Sequence, residues 1–407
     1  MLKFTMPKKM AKSTNTTSKD NRRLTLRSLI LKIIISLVVI TSFSLSFHNS
    51  SLYNPIRGLD GAGHLYNVNY IYKYNKIPQV SLDEISADIN VETHQPPLYY
   101  LIVASLYRLT GNIKSIQFFN PFVLWFIVLV VGIGLKKVLK DPIQTLLGMF
   151  ALASLPMLNI FSPMVTNEFL SAFMNISAVI ASVYLQYAKT KKQYFLTIFC
   201  LILSLVFAVW TKVSVVIIIP TVIVALFLAR KTISNKVFMA TTIAVIASFF
   251  LAYLPIYLRA NKTNSPSDLN NNLSAMASIK TFRSPDFYFR LDWIPKVDMY
   301  TTQYYSMLGG AWNSFWTDGH NVLTPFVPFH KKAFVLWSLG FVLLPISLYG
   351  LYRLSKISKR AFILVFLTGF VMLSIFVIHN TITFHYSANR LTYEMAIVIP
   401  YAFGIAS

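Results

Sequence analysis

Long apolar segments alternate with shorter polar ones along most of the chain. Ten of the apolar segments approach the roughly 20 residues that an α-helix needs to cross a bilayer, and they lie at 29–47, 118–135, 143–161, 169–188, 194–210, 213–229, 237–258, 333–352, 361–378 and 395–406. The segments are continuous, whereas the strands of a membrane barrel would alternate apolar and polar residues. The pattern therefore predicts an all-α polytopic membrane protein with about ten transmembrane helices.

Composition and charge agree with this class. Only 13% of the residues are charged, against about 25% in soluble domains. The net charge of +23 would fit a nucleic-acid-binding protein, but the positions of the basic residues argue against that. They cluster in the tail and after every second span, at 136–140, 189–192, 230–236 and 353–360. This is the positive-inside pattern with a cytoplasmic N-terminus, so we expect no nucleic-acid partner.

The ends of the chain carry further expectations. Residues 1–28 are polar and basic, which predicts a disordered cytoplasmic tail ahead of one transmembrane domain over 29–407. The first span is longer than a signal-peptide core and has no small-x-small cleavage site, so we expect a retained signal anchor. The last span is short and has no basic tail, as in a chain that is incomplete at its C-terminus. The single Cys200 excludes an intramolecular disulfide and is expected in the core.

Three long segments lie on the predicted outer side, at 48–117, 259–332 and 379–394. Twelve of the 14 acidic residues fall on this side, which predicts an external or luminal working surface in a multi-pass protein of the plasma, inner or endoplasmic-reticulum membrane. The apolar stretch 96–111 is short and contains Arg108. Counting it as a span would place the later basic clusters outside, so we expect a helix that lies along the outer surface.

Four stretches carry a resemblance to a known family: "RGLDGAGHLYNVNYIYKYNKIP" (57–78), "VETHQPPLYYL" (91–101), "LASLPMLNIFSPMVTNEFLSAF" (152–173) and "YSANRLTYEMAIVIP" (386–400). Their order and predicted side resemble the GT-C superfamily of polyprenyl-phosphate-sugar-dependent glycosyltransferases, and most closely the family 39 type that includes protein O-mannosyltransferases. The resemblance implies a GT-C fold with juxtamembrane helices in the first outer loop. It also implies a polyprenyl-phosphate-sugar donor and a lipid, glycan or protein acceptor.

The resemblance further implies roles for particular residues. Asp60 matches the catalytic acid of the first loop, Glu168 the acid of the second loop, and Glu92 the acid before the Pro-Pro pair. Arg390 matches a late arginine that binds phosphate, and Lys212 is a second candidate for that contact. Transfer from a lipid phosphate needs a general base for the acceptor hydroxyl and cations for the leaving group. Substrate contacts are expected from three further residues, which are His64, His94 and Gln95.

Each candidate also has a structural explanation. Asp60 could cap the helix that follows it, and Glu168 could stand at a helix N-terminus because the macrodipole favours an acid there. His64 could be a packed histidine, while Arg390 and Lys212 could reach lipid headgroups. The family often has a second acid after the first, where this chain has Gly61. The metal site therefore stays unassigned, although the predicted chemistry is compatible with a divalent cation.

The sequence thus predicts a membrane glycosyltransferase that moves a hexose or pentose, with Asp60 as the general base. A transporter or lipid flippase is the first alternative, and it should place charges at mid-membrane on interrupted helices. A non-catalytic membrane scaffold is the second alternative. The outer position of Asp60, Glu92, Glu168 and Arg390 favours the enzyme.

Overall fold

The computed structural model describes residues 18–56, 60–78, 95–230, 233–262, 284–291, 306–317, 330–382 and 391–407. Within these ranges the chain forms fifteen α-helices: α1 Ser18–Leu52, α2 Gly61–Tyr74, α3 Leu98–Thr110, α4 Lys114–Leu139, α5 Pro142–Ala153, α6 Pro156–Phe161, α7 Glu168–Leu185, α8 Lys191–Thr211, α9 Ile219–Ala229, α10 Asn235–Lys262, α11 Pro285–Phe289, α12 Met307–Trp316, α13 His330–Ile357, α14 Lys359–Ile382 and α15 Val398–Ala406. Short 3₁₀ helices precede α9 and α15, at Val213–Ile218 and Leu391–Ile397.

Seven of the described helices are long and apolar enough to cross a membrane: α1, α4, α7, α8, α10, α13 and α14. They coincide with seven of the ten predicted spans. The other three predicted spans fall on shorter apolar helices, which are α5 with α6, α9 with its preceding 3₁₀ turn, and α15 with its preceding turn. The prediction of an all-α polytopic membrane protein is confirmed.

The predicted span 143–161 is broken into α5 and α6. Leu155, before Pro156, is extended at φ −67° and ψ 120°, because a proline disfavours helical geometry in the residue before it. The side-chain amide of Asn159 replaces the lost backbone hydrogen bonds by donating to the carbonyls of Ala153 (2.6 Å) and Leu155 (3.2 Å). The Ser46 hydroxyl of α1 donates to the Asn159 amide oxygen at 2.8 Å. The break is therefore satisfied internally, as an apolar surrounding demands.

Two features of the membrane helices differ from expectation. Helix α1 begins at Ser18, so residues 18–28 are helical and not a disordered tail. The Lys, Arg and Leu residues there are good helix formers, which lets a transmembrane helix continue beyond its apolar part. Residues 1–17 lie outside the described part.

Cys200 is exposed on α8, so its expected core position is wrong. Lipid accepts a small apolar side chain as readily as a protein core does.

The predicted first outer loop contains the helix pair α2 and α3, as the resemblance implied. At 13 residues, α3 is about 20 Å long and too short for a hydrocarbon core of about 30 Å. Arg108, near the end of α3, donates to the carbonyls of Ile71 and Tyr72 at 3.2 Å each. Both carbonyls lie in the last turn of α2, and that of Ile71 also accepts the backbone amide of Asn75 at 2.9 Å. Arg108 thus joins the C-terminal ends of two parallel helices.

Glycines allow α13 and α15 to cross in close contact. A Cβ atom added at Gly350 would lie 1.7 Å from the carbonyl oxygen of Gly404, and one added at Gly404 would lie 2.3 Å from the Ser347 carbonyl oxygen. Small residues at such crossings let two backbones approach closely in a membrane bundle. This crossing fixes α15 against the centre of the bundle, where α15 also packs on α5 and α14.

The two ends of the bundle differ in charge. At one end, the Lys137 ammonium lies 4.5 Å from the centre of the Tyr184 ring, and the Tyr187 hydroxyl contacts Ser358. These residues mark the end that carries the basic clusters. Helix α7 starts at the other end, at Glu168, and its 18 residues span about 27 Å. The acidic candidates of the described chain therefore lie at the end opposite the basic clusters.

Candidate functional site at the acidic end of the bundle

The segment before α7 is fixed by side chains of α4. Gln117 donates to the carbonyl of Pro163 at 3.2 Å, and Asn120 donates to the carbonyls of Met164 (2.7 Å) and Thr166 (3.3 Å). Both amides are fully buried. Since a buried backbone carbonyl needs a partner, these two residues hold the start of α7 in one conformation.

Asn167 connects this segment to two further helices. Its side-chain amide donates to the Gln95 amide oxygen and to the carbonyl of Thr211, both at 3.1 Å. Gln95 precedes α3 and Thr211 ends α8, so three segments distant in sequence meet at Asn167. Gln95, which the sequence predicts as a substrate contact, is buried and serves here as a brace.

Glu168 and Lys212 form an ion pair next to this junction. The side chains retain only 10% and 15% of their exposure, respectively. Glu168 is the first residue of α7 and Lys212 follows the last residue of α8. Each charge thus has the sign that its helix end favours. His379 of α14 lies within electrostatic reach of Lys212, so a second basic group is near the pair.

Asp60 stands immediately before α2 in an unusual backbone conformation. Its φ of 54° and ψ of 20° are left-handed, and its side chain makes no capping hydrogen bond. The structure therefore does not support the explanation that Asp60 is a helix cap. A left-handed conformation is uncommon for a residue other than glycine and marks functional sites more often than average positions.

Gly61 is explained by the same turn. A Cβ atom at this position would lie 2.7 Å from the carbonyl oxygen of Ile56, closer than real Cβ contacts. An acid therefore cannot occupy position 61 without moving the backbone, which accounts for the departure from the family pattern.

His64 lies inside the α2–α3 interface. Its Nδ1 shares a 2.8 Å hydrogen bond with the Tyr100 hydroxyl, and the two rings stack with centres 5.8 Å apart. His64 is 4% exposed and Tyr100 is 2% exposed. This burial favours the packing explanation for His64 over direct contact with a sugar. On α3, next to Tyr100, burial raises the pKa of Tyr99 above its usual value, so its hydroxyl stays neutral.

Three candidates, Glu92, His94 and Arg390, lie outside the described residues. The described ranges hold no group of three His, Cys, Asp or Glu side chains that could bind a metal ion. Sequence reasoning missed Asn167, Tyr100 and Arg259. Asn167 and Tyr100 stand inside stretches that carry the resemblance, and Asn167 directly precedes the candidate Glu168. Arg259 ends an otherwise apolar stretch, and a basic residue there is also what lipid headgroups would favour.

No protein-family profile matches the sequence, and no curated protein is similar to it at the sequence level. Solved structures are similar in fold. The chain superposes on ArnT from Cupriavidus metallidurans bound to undecaprenyl phosphate with a TM-score of 0.60 and 10% identity, covering 91% of this chain and 59% of ArnT. It superposes on the archaeal oligosaccharyltransferase AglB from Archaeoglobus fulgidus, in complex with an inhibitory peptide and a dolichol-phosphate, with a TM-score of 0.55 and 14% identity.

The chain has the GT-C fold. The second superposition covers 93% of this chain and 50% of AglB, so the chain spans between half and three-fifths of the length of these proteins. The fold expected from the four sequence stretches is confirmed. The specific likeness to family 39 and the protein O-mannosyltransferases stays a prediction.

Proposed function

We propose that this chain transfers a sugar from a polyprenyl-phosphate donor to an acceptor at the acidic end of its helix bundle. One observation carries the proposal. The acidic Glu168 and the basic Lys212, predicted from distant segments, meet there in a fold shared with a protein bound to undecaprenyl phosphate. A carbohydrate acceptor, a lipid or a protein would fit equally well, because each presents a hydroxyl or amide nucleophile.

Asp60 acts as the general base in this proposal. The acceptor hydroxyl gives its proton to the Asp60 carboxylate while its oxygen bonds to the anomeric carbon of the donor sugar. The bond from that carbon to the phosphate oxygen breaks, and polyprenyl phosphate leaves with the electron pair. Such proton transfer typically contributes about 10²–10⁴-fold to a rate. Asp60 suits the role because it is exposed at the start of α2.

Lys212 and Arg390 stabilise the phosphate that leaves. Lys212 is held beside Glu168 in a largely buried setting, where a positive charge acts more strongly on an anion than it would in water. Glu168 fixes the direction of the Lys212 ammonium and balances its charge when no phosphate is bound. From the resemblance, Arg390 supplies a second cation, and Glu92 and His94 contact the sugar or the acceptor.

A divalent cation is not used in this scheme. Carboxylates would suit such an ion, but Glu168 is already engaged by Lys212, and position 61 has no room for the second acid of the family pattern. The described residues thus do not fit a metal site, and no step passes through one.

The acidic end should face the cell exterior, the periplasm or an organelle lumen. The basic clusters lie at the other end of the bundle, and the positive-inside rule places them in the cytoplasm. A donor whose phosphate lies at the outer membrane surface would then reach Asp60 without crossing the bilayer.

The test compares transfer by wild-type protein and by Asp60→Asn. A panel of undecaprenyl- and dolichyl-phosphate-linked hexoses and pentoses with radiolabelled sugar is incubated with membranes, and label leaving the lipid phase is counted. Asp60→Asn keeps the size of the side chain but removes its basicity, so transfer should fall by about a hundredfold or more. Arg390→Ala should weaken donor use, and Arg390→Lys should restore it only in part, because lysine lacks the planar fork.

Asp141→Asn is the matched control. Asp141 caps α5 at the opposite end by accepting from the Ile143 amide at 2.8 Å, and asparagine caps equally well. Its activity should stay at the wild-type level. Near-normal transfer by correctly inserted Asp60→Asn protein would refute the assignment of the base.

A further inference from the structure

The backbone at Asp60 limits the directions that its carboxylate can take, because the side chain has only two rotatable bonds. That backbone is left-handed, and the following Gly61 lies hard against Ile56. The arrangement holds only if the first turn of α2 stays in place. In that turn, the His64 amide donates to the Asp60 carbonyl at 2.9 Å.

A buried polar contact links the first turn of α2 to α3. His64 is one helical turn after Asp60, and its ring shares the 2.8 Å hydrogen bond with the Tyr100 hydroxyl. Leu65, Val68 and Val103 belong to the buried apolar cluster that also contains Tyr100. Apolar contacts tolerate small rotations, whereas a buried hydrogen bond has one favoured geometry.

Tyr100 also lies near a cation of α10. The Arg259 guanidinium donates to the Pro78 carbonyl at 2.9 Å and is within electrostatic reach of Tyr100. Pro78 follows α2, so α10 holds the chain beyond the far end of α2 while Tyr100 holds its beginning.

We infer that the His64–Tyr100 hydrogen bond positions Asp60, so that His64 and Tyr100 are positioning residues for proton transfer. The inference rests on the proposed function of Asp60. It differs from the sequence prediction, which gave His64 a direct contact with the substrate, and it assigns a role to Tyr100.

Tyr100→Phe tests the inference, since it keeps the ring and removes the hydroxyl. Turnover of the best panel donor should fall about tenfold, as expected for one lost buried hydrogen bond, while KM for the donor changes less than twofold. The decisive measurement adds Asp60→Asn. If Tyr100 acts through Asp60, the double variant should be no slower than Asp60→Asn alone, because residues that act as one unit are not additive.

His64→Gln provides a second, independent removal of the hydrogen bond and should show the same dependence on Asp60. Tyr107→Phe is the control. It removes a hydroxyl from the other end of α3, where the ring stacks on Tyr72 at 4.2 Å, and turnover should not change.

Losses from Tyr100→Phe and Asp60→Asn that multiply would overturn the inference, as would unchanged turnover in Tyr100→Phe. These results are distinct from failure of the proposed function, which would show as normal transfer by Asp60→Asn itself.

Discussion

The ion pair between Glu168 and Lys212 allows stability and catalysis to be separated. The perturbations are Lys212→Met, Glu168→Gln and the double variant. Each single change leaves one charge in a setting where the two side chains expose only 15% and 10% of their surface. Breaking a buried pair in this way costs about 3–5 kcal/mol. Because the pair keeps some exposure, we expect about 3 kcal/mol, or more than a hundredfold in the folding equilibrium.

The double variant should be much more stable than either single variant, because no uncompensated charge remains. Replacing both partners of a buried pair by neutral groups of similar volume is often close to neutral for stability. Activity should not return with stability, since the cation for the phosphate is missing. Stability would be followed as the loss of monodisperse protein on heating in detergent, and transfer with the radiolabelled panel.

Asp286 and Arg290 form the matched control pair. Asp286 is in α11 and Arg290 directly follows that helix, with 3.8 Å between their charged atoms, and the two side chains remain 59% and 39% exposed, respectively. Breaking such a surface pair should cost at most about 0.5 kcal/mol. If Lys212→Met and Glu168→Gln proved as mild as Arg290→Met, the buried pair would contribute nothing and the reasoning would fail.

Two further predictions concern the fold and its orientation. Gly350→Ala should destabilise the bundle by about 1–3 kcal/mol, the usual range for overpacking, because its Cβ would lie 1.7 Å from the Gly404 carbonyl oxygen. Gly369→Ala is the control and should be milder in the same detergent denaturation, because the nearest atom to its Cβ is a Pro400 side-chain atom at 3.0 Å. Equal effects of the two substitutions would count against the crossing. Orientation can be tested by labelling single cysteines, introduced in a Cys200→Ser background, with a membrane-impermeant maleimide. A cysteine at position 190 should react only after the membrane is opened, and one at position 112 should react from outside. The reverse labelling would show that the protein has the opposite orientation in the membrane.

The sequence by itself determined the class and the long membrane helices, and it predicts the side of the chemistry. Apolar length and the positions of Lys and Arg are local properties, and the energy of placing them in lipid or water does not depend on which helices become neighbours. The resemblance in four short stretches was enough to predict the fold, and it selected Glu168. Lys212 was selected, in a separate role, by its lone position at the predicted outer end of its span.

The tertiary structure decided the partners. Glu168 and Lys212 are 44 residues apart, and only the antiparallel packing of α7 and α8 brings the start of one to the end of the other. The same holds for His64 and Tyr100, which are 36 residues apart and meet because α2 and α3 run in parallel. The requirement for Gly61 also depends on the folded chain, because it comes from the neighbouring carbonyl of Ile56. Sequence patterns report whether each residue prefers lipid or water around it. Hydrogen bonds and ion pairs depend instead on where the folded backbone places each group.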